Sequence, residues 1–117
     1  MDFREAIRRH TEWKVRFRMA IFRKEQLDAA KIGRDDCCLL GEWLHGAGAE
    51  RAGTLPEFCA ALATHKAFHE EAGRIATLIN AGRYAEAEQA LADDSPYGAN
   101  SARTLASLDA LQKISDF

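Results

Sequence analysis

The stretch from Thr54 to Ala81 constrains this chain more than any other. Phe58, Leu62, His65, His69, Ala72, Ala76 and Ile79 recur in alternating steps of three and four residues. That spacing is the apolar seam of an amphipathic helix. Two imidazoles hold the centre of the seam, where burial is deepest and an unpartnered ring is costly. At positions i and i+4 they share one face a turn apart, close enough to grip one metal ion together. The rest of the chain must therefore either satisfy two buried histidines or supply further donors.

Read in order, the chain predicts an all-α, antiparallel four-helix bundle occupying residues 1–117 as a single domain. Residues 2 to about 30 form the first helix, with Phe3, Ile7, His10, Lys14, Phe17 and Ile21 on its inner face, and Gly33 stops it. Asp35 and Asp36 cap a short second helix from about 35 to 45 that carries Cys37, Cys38 and Trp43. Gly46, Gly48 and Gly53 mark a flexible connection. Thr54 and Glu57 form a capping box for the third helix, which Asn80 and Gly82 close. A fourth helical region from about Arg83 is interrupted by Asp93, Asp94, Ser95 and Pro96, a break near 94–97, and restarts at Pro96. Val15, Met19 and Phe22 make a second apolar stripe on the first helix, nearly opposite the inner face. A lone bundle would leave that stripe in water, so it predicts a partner surface, most simply a homodimer.

Three of these helices each offer a buried donor: His10 on the first, Cys38 on the second, and His65 with His69 on the third. Three imidazoles and one thiolate are the number and kind of ligands a tetrahedral zinc site takes. The carboxylate-rich pattern of di-iron bundles is absent, and copper(I) suits a set with more sulfur. Each donor also has a plainer reading: His10 as a satisfied core histidine, Cys38 as a small core residue, and the histidine pair as chance. Lys66 follows His65, so the zinc-protease signature is not present. His45 lies seven residues past Cys38, roughly 10 Å along a helix, and is left out of the set. Cys59 reads as core filler. Cys37 points about 100° from Cys38 and is not counted as a ligand, exchange of their roles being the main alternative.

Composition excludes several classes. A net charge of −2 gives no basic footprint for nucleic acid. No apolar run approaches 18 residues and no leader pattern follows Met1, so a cytoplasmic chain without membrane insertion is expected. Three cysteines do not make a disulfide framework, and beside histidines they favour metal or redox chemistry.

The ordered motifs His10-Thr-Glu-Trp13, Cys38-Leu-Leu-Gly41-Glu-Trp43-Leu44 with Gly46, and His65-Lys-Ala-Phe68-His69 resemble the chemoreceptor zinc-binding domain family. The likeness extends from about His10 to Leu111. It implies a four-helix bundle, usually homodimeric, with Zn2+ held by His10, Cys38, His65 and His69. Members of that family commonly regulate chemoreceptors or diguanylate cyclases according to zinc or to oxidants such as hypochlorous acid. No methyl-accepting coiled coil or cyclase accompanies the motifs in this sequence: a complete chain, which Met1 just before the first helix suggests, would act through a signalling protein in trans, and an excised fragment would have had its output cut away. Four protein ligands leave no open coordination position, which argues for regulation rather than catalysis. Cys38 is then the redox-sensitive point. Two rival readings follow from the same residues. One is a dimeric adaptor with a permanent structural zinc, and the other is a small hydrolase that needs an exchangeable water.

Overall fold

The computed structural model describes residues 1–114. Among them there are seven helices and no strands: α1 (Phe3–Arg23), α2 (Ala29–Ile32), α3 (Leu39–Leu44), α4 (Ala47–Ala52), α5 (Pro56–Asn80), α6 (Tyr84–Ala90) and α7 (Pro96–Ile114). The all-α expectation holds, but four continuous helices are not what forms. Three long helices carry the fold, and the chain between α1 and α5 descends as loop and three short helices.

Side-chain contacts fix the directions. Thr104 Oγ1 donates to the Thr64 carbonyl, and Phe68 stacks on Tyr97, so α5 and α7 run antiparallel. His10 meets Phe68, while Phe17 and Ala20 share a core with Ile75 and Ile79, so α1 runs parallel to α5. Lys14 reaches Asp93 and Arg18 reaches Glu88 across α1 and the α6–α7 region. Both pairs are solvated and add little stability.

The first helix ends earlier than its periodicity suggests. Lys24 adopts φ 56° and ψ 44°, and the amides of Lys24 and Glu25 bond back to the Ile21 and Ala20 carbonyls. This left-handed stop usually takes glycine, so the sequence carries no sign of it. Asn80 then fixes the loop: the Leu27 amide donates to Asn80 Oδ1 at 2.7 Å, and Asn80 Nδ2 donates to the Leu27 carbonyl at 2.8 Å. Asp28 caps α2, and Gly33 ends α2 rather than α1. Three other boundaries differ from the sequence reading. Asp35 and Asp36 lie in a turn, and Cys38 itself is the N-cap of α3. The glycine-rich stretch folds into α4. No side-chain cap opens α5, where Leu55 precedes Pro56 in place of the Thr54–Glu57 box. The break before Pro96 is as expected.

Two apolar clusters stack along α5. One gathers Phe3, Leu40, Leu44, Phe58, Leu108 and Leu111; the other gathers Phe17, Phe68, Ile75, Ile79, Leu91 and Tyr97. His65 falls between the Phe58 and Phe68 ends of these clusters. The descending segment approaches α5 through two glycines: a Cβ on Gly73 would sit 2.8 Å from the Gly33 Cα. Gly73→Ala is therefore expected to push α2 off α5 and cost about 2 kcal/mol, the usual scale for overpacking a rigid contact. A urea denaturation midpoint unchanged from the parent protein would contradict this.

Candidate metal centre

Each donor is placed by a local backbone feature. Cys38, at the N-cap of α3, has extended backbone, and its Sγ accepts from the Gly41 amide at 3.3 Å. This is the role a serine or aspartate ordinarily fills, here taken by a sulfur. The cap is possible only because residue 41 lacks a side chain: a Cβ there would lie 2.0 Å from the Asp35 carbonyl oxygen. His65 and His69 stand a turn apart on α5, with ring centroids 4.5 Å apart.

Their Nε2 atoms lie 3.3 Å and 3.6 Å from Cys38 Sγ. A tetrahedral zinc with one sulfur at about 2.3 Å and nitrogens at about 2.0 Å has sulfur–nitrogen edges of about 3.5 Å. The donor atoms of Cys38, His65 and His69 all lie within 4.8 Å of one another, forming a group that could hold a metal ion. His69 is already oriented for this: its Nδ1 is 2.7 Å from the Ile32 carbonyl oxygen. A carbonyl can only accept, so Nδ1 carries the proton and the Nε2 lone pair faces the sulfur. His65 Nδ1 is buried and has no hydrogen-bond partner among the described residues. The residues present thus fit zinc in both chemistry and spacing.

His10 stands apart from this trio. It is buried on α1 with its ring against Phe68, and its Nε2 is 3.0 Å from Ser101 Oγ on α7. It lines the same cavity of about 490 Å3 as Cys38, His65 and His69. The structure therefore brings three of the four sequence-selected donors together and leaves the fourth beside them, turned to a serine.

The remaining candidates sort out plainly. Cys37 Sγ contacts Asp36 Oδ1 at 3.5 Å and does not join the cluster. His45 Nε2 lies 2.9 Å from Asp35 Oδ2, outside the cluster. Cys59 is exposed, with its sulfur on the Gly53 carbonyl, so it is not core filler. The residue orienting His69 is the one that sequence reasoning missed. The nearby carboxylates are placed otherwise: Glu12 is engaged by Arg8 on the exposed face of α1, Asp35 Oδ2 lies against His45, and Glu42 and Glu70 are exposed. The actual orienting group is a backbone carbonyl, which leaves no trace in residue type.

Burial makes the site sensitive to acid. It pushes His10 down to about 4 and His65 down to about 3 from an ordinary 6.5, and lowers His69 as well. Burial also pushes the Cys38 thiol up, against the opposing bond from Gly41. For the histidines the sign is set by the neutral native ring. Below pH 6.5 the unfolded chain takes up protons while the folded chain does not until near pH 4, so stability falls across that window and is fully present above it. At pH 5 this costs about 2 kcal/mol for each of His10 and His65. Urea titrations of metal-free protein at pH 7 and pH 5 check it; equal midpoints would contradict it.

A family model described as the chemoreceptor zinc-binding domain matches residues 10–76, more than half of the chain and a span that begins at His10 and runs past His69. The chain belongs to the chemoreceptor zinc-binding domain family. No curated protein and no solved structure matches it. Zinc is accordingly the cofactor of this fold family, whose members are regulatory rather than catalytic signalling domains, and the Cys38–His65–His69 cluster is positioned for it. The match ends within α5, short of the Leu111 limit read from the motifs, so α6 and α7 lie outside it. No helix among the described residues is long and apolar enough to cross a membrane.

Proposed function

We propose that this chemoreceptor zinc-binding domain is a cytoplasmic zinc- and oxidant-responsive sensor in which His10, Cys38, His65 and His69 hold one zinc ion. It acts in bacterial signalling of the chemotaxis or cyclic-di-GMP type. The observation that carries the reading is a single sulfur facing two imidazole nitrogens at tetrahedral-edge distances inside the bundle. His10 completes the set by turning from Ser101 within the cavity they share. When bound, zinc holds the Cys38 sulfur as the thiolate, the form that oxidants attack. Oxidation of Cys38 removes both a ligand and the cap of α3. A six-residue helix that begins at its own metal ligand is the element best suited to change state.

The output passes through a homodimer and a signalling protein in trans. Supporting this, Val15 and Phe22 are 62% and 85% exposed, and Met19 lies exposed between them on α1. A large apolar side chain exposed to that degree suits an interface better than solvent.

A second reading, a dimeric adaptor with permanent zinc, draws on the site's position between two apolar clusters, which an ion would tie together. Titration against graded zinc buffers separates the two. Reversible half-occupancy in a folded protein supports the sensor. Metal retained until the fold melts supports the adaptor and overturns the sensor.

A further inference from the structure

Cys37 and Cys38 are neighbours in the chain, both are half-buried, and both line the cavity beside His65 and His69. They sit at the end of the non-helical segment 34–38, where Cys38 is joined to α3 as its N-cap through the Glu42 amide and Cys37 precedes the helix. The Cys38 sulfur faces the imidazoles, whereas the Cys37 sulfur lies 3.5 Å from Asp36 Oδ1 and outside the cluster. Cys59 does not line this cavity. One thiol thus has a place in the metal cluster, and a second stands beside it with none.

We propose that Cys37 is the resolving thiol for Cys38, closing a disulfide between the two adjacent cysteines after oxidation; this rests on Cys38 being the oxidant-sensitive ligand. With a hydroperoxide as oxidant, the Cys38 thiolate attacks the terminal oxygen and the O–O bond breaks. Sulfur is oxidised by two electrons to the sulfenic acid, and the peroxide is reduced to water or an alcohol after taking up a proton. The Cys37 sulfur then attacks Cys38 Sγ. An S–S bond forms, the S–O bond breaks, and hydroxide leaves as water with the Cys37 proton.

Two consequences follow from position. Without a neighbouring thiol, the sulfenic acid under further oxidant climbs to sulfinic acid, which is irreversible in most proteins. With it, the bond joins residues whose Cα atoms are only about 3.8 Å apart, below the usual disulfide span of about 4.4–6.8 Å. Such a bond is strained and readily reduced, so the product is one a thiol reductant can reset. Drawing Cys38 toward Cys37 also takes its sulfur away from the Gly41 amide and from both imidazoles.

The test uses zinc-loaded full chain and a Cys37→Ser variant, treated with hydrogen peroxide and then dithiothreitol. A chromogenic chelator reads zinc release, and intact mass with peptide mapping reads the product. The parent protein is expected to release zinc, lose two hydrogens with Cys37 and Cys38 linked, and recover most of its zinc binding after reduction. Cys37→Ser, binding zinc normally beforehand, is expected to gain two oxygens on Cys38 and recover less than about a tenth. Zinc release without the two-hydrogen loss, or equal recovery in both proteins, overturns the resolving role while leaving the oxidant reading intact. Zinc that stays bound under peroxide overturns both.

Discussion

Replacing Cys38 with alanine is expected to lower zinc affinity by at least about a hundredfold, a loss as large as the largest from outer-sphere substitutions at metal sites. The same change should lower metal-free stability by about 1 kcal/mol, because the α3 cap goes with the sulfur. Cys38→Ser separates these effects. A serine hydroxyl is a good N-cap, so the metal-free variant should melt near the parent temperature. An uncharged hydroxyl is a poor zinc ligand, so the affinity should fall nearly as far as in Cys38→Ala. Competition with a zinc chelator and thermal melts of both variants give the two numbers. Equal zinc affinity in the parent and in Cys38→Ser would remove the sulfur from the site.

Gly41→Ala should be the most damaging single methyl group in the chain. The added carbon would meet the Asp35 carbonyl oxygen at 2.0 Å, its carbonyl carbon at 2.8 Å and the Asp36 Cα at 3.1 Å. All three are backbone atoms, so no flexible side chain can swing aside. The segment from Asp35 to Cys38 must move, and with it the sulfur and its contacts to His65 and His69. A loss of about 3 kcal/mol is expected, with zinc affinity down by more than about tenfold. Far from the crowded backbone, Gly82 is the contrast: its φ is 75°, but nothing lies within 4 Å of a Cβ there. Alanine at Gly82 should strain only its own turn and leave zinc affinity unchanged. A Gly41→Ala protein that melts and binds zinc like its parent would show that the cap geometry of Cys38 is not what holds the sulfur in place.

The long helices were legible because burial writes a periodic signal. Phe58, His65, His69, Ala72, Ala76 and Ile79 are all buried along α5, and Phe3, His10 and Phe17 along α1. Cys38 lies outside that periodic signal, half-buried at the N-cap of α3, although its place beside the histidine pair agrees with the sequence reading. What stayed hidden depends on the backbone. The Lys24 stop needs a left-handed residue that carries no glycine, and the glycines at 46, 48 and 53 proved compatible with a short helix. The orienting bond from His69 goes to a main-chain carbonyl. For His10, the seam pattern gave the right face of α1 but could not distinguish a metal donor from a partner of Ser101, since both need the same inward position.

X-ray absorption at the zinc edge of the loaded protein measures the centre most directly. One sulfur at about 2.3 Å and three nitrogens at about 2.0 Å are expected, falling to two nitrogens or gaining a light oxygen donor in His10→Ala. A first shell without sulfur, or one identical in Cys38→Ser, would contradict the joint hold of Cys38, His65 and His69 on a single ion.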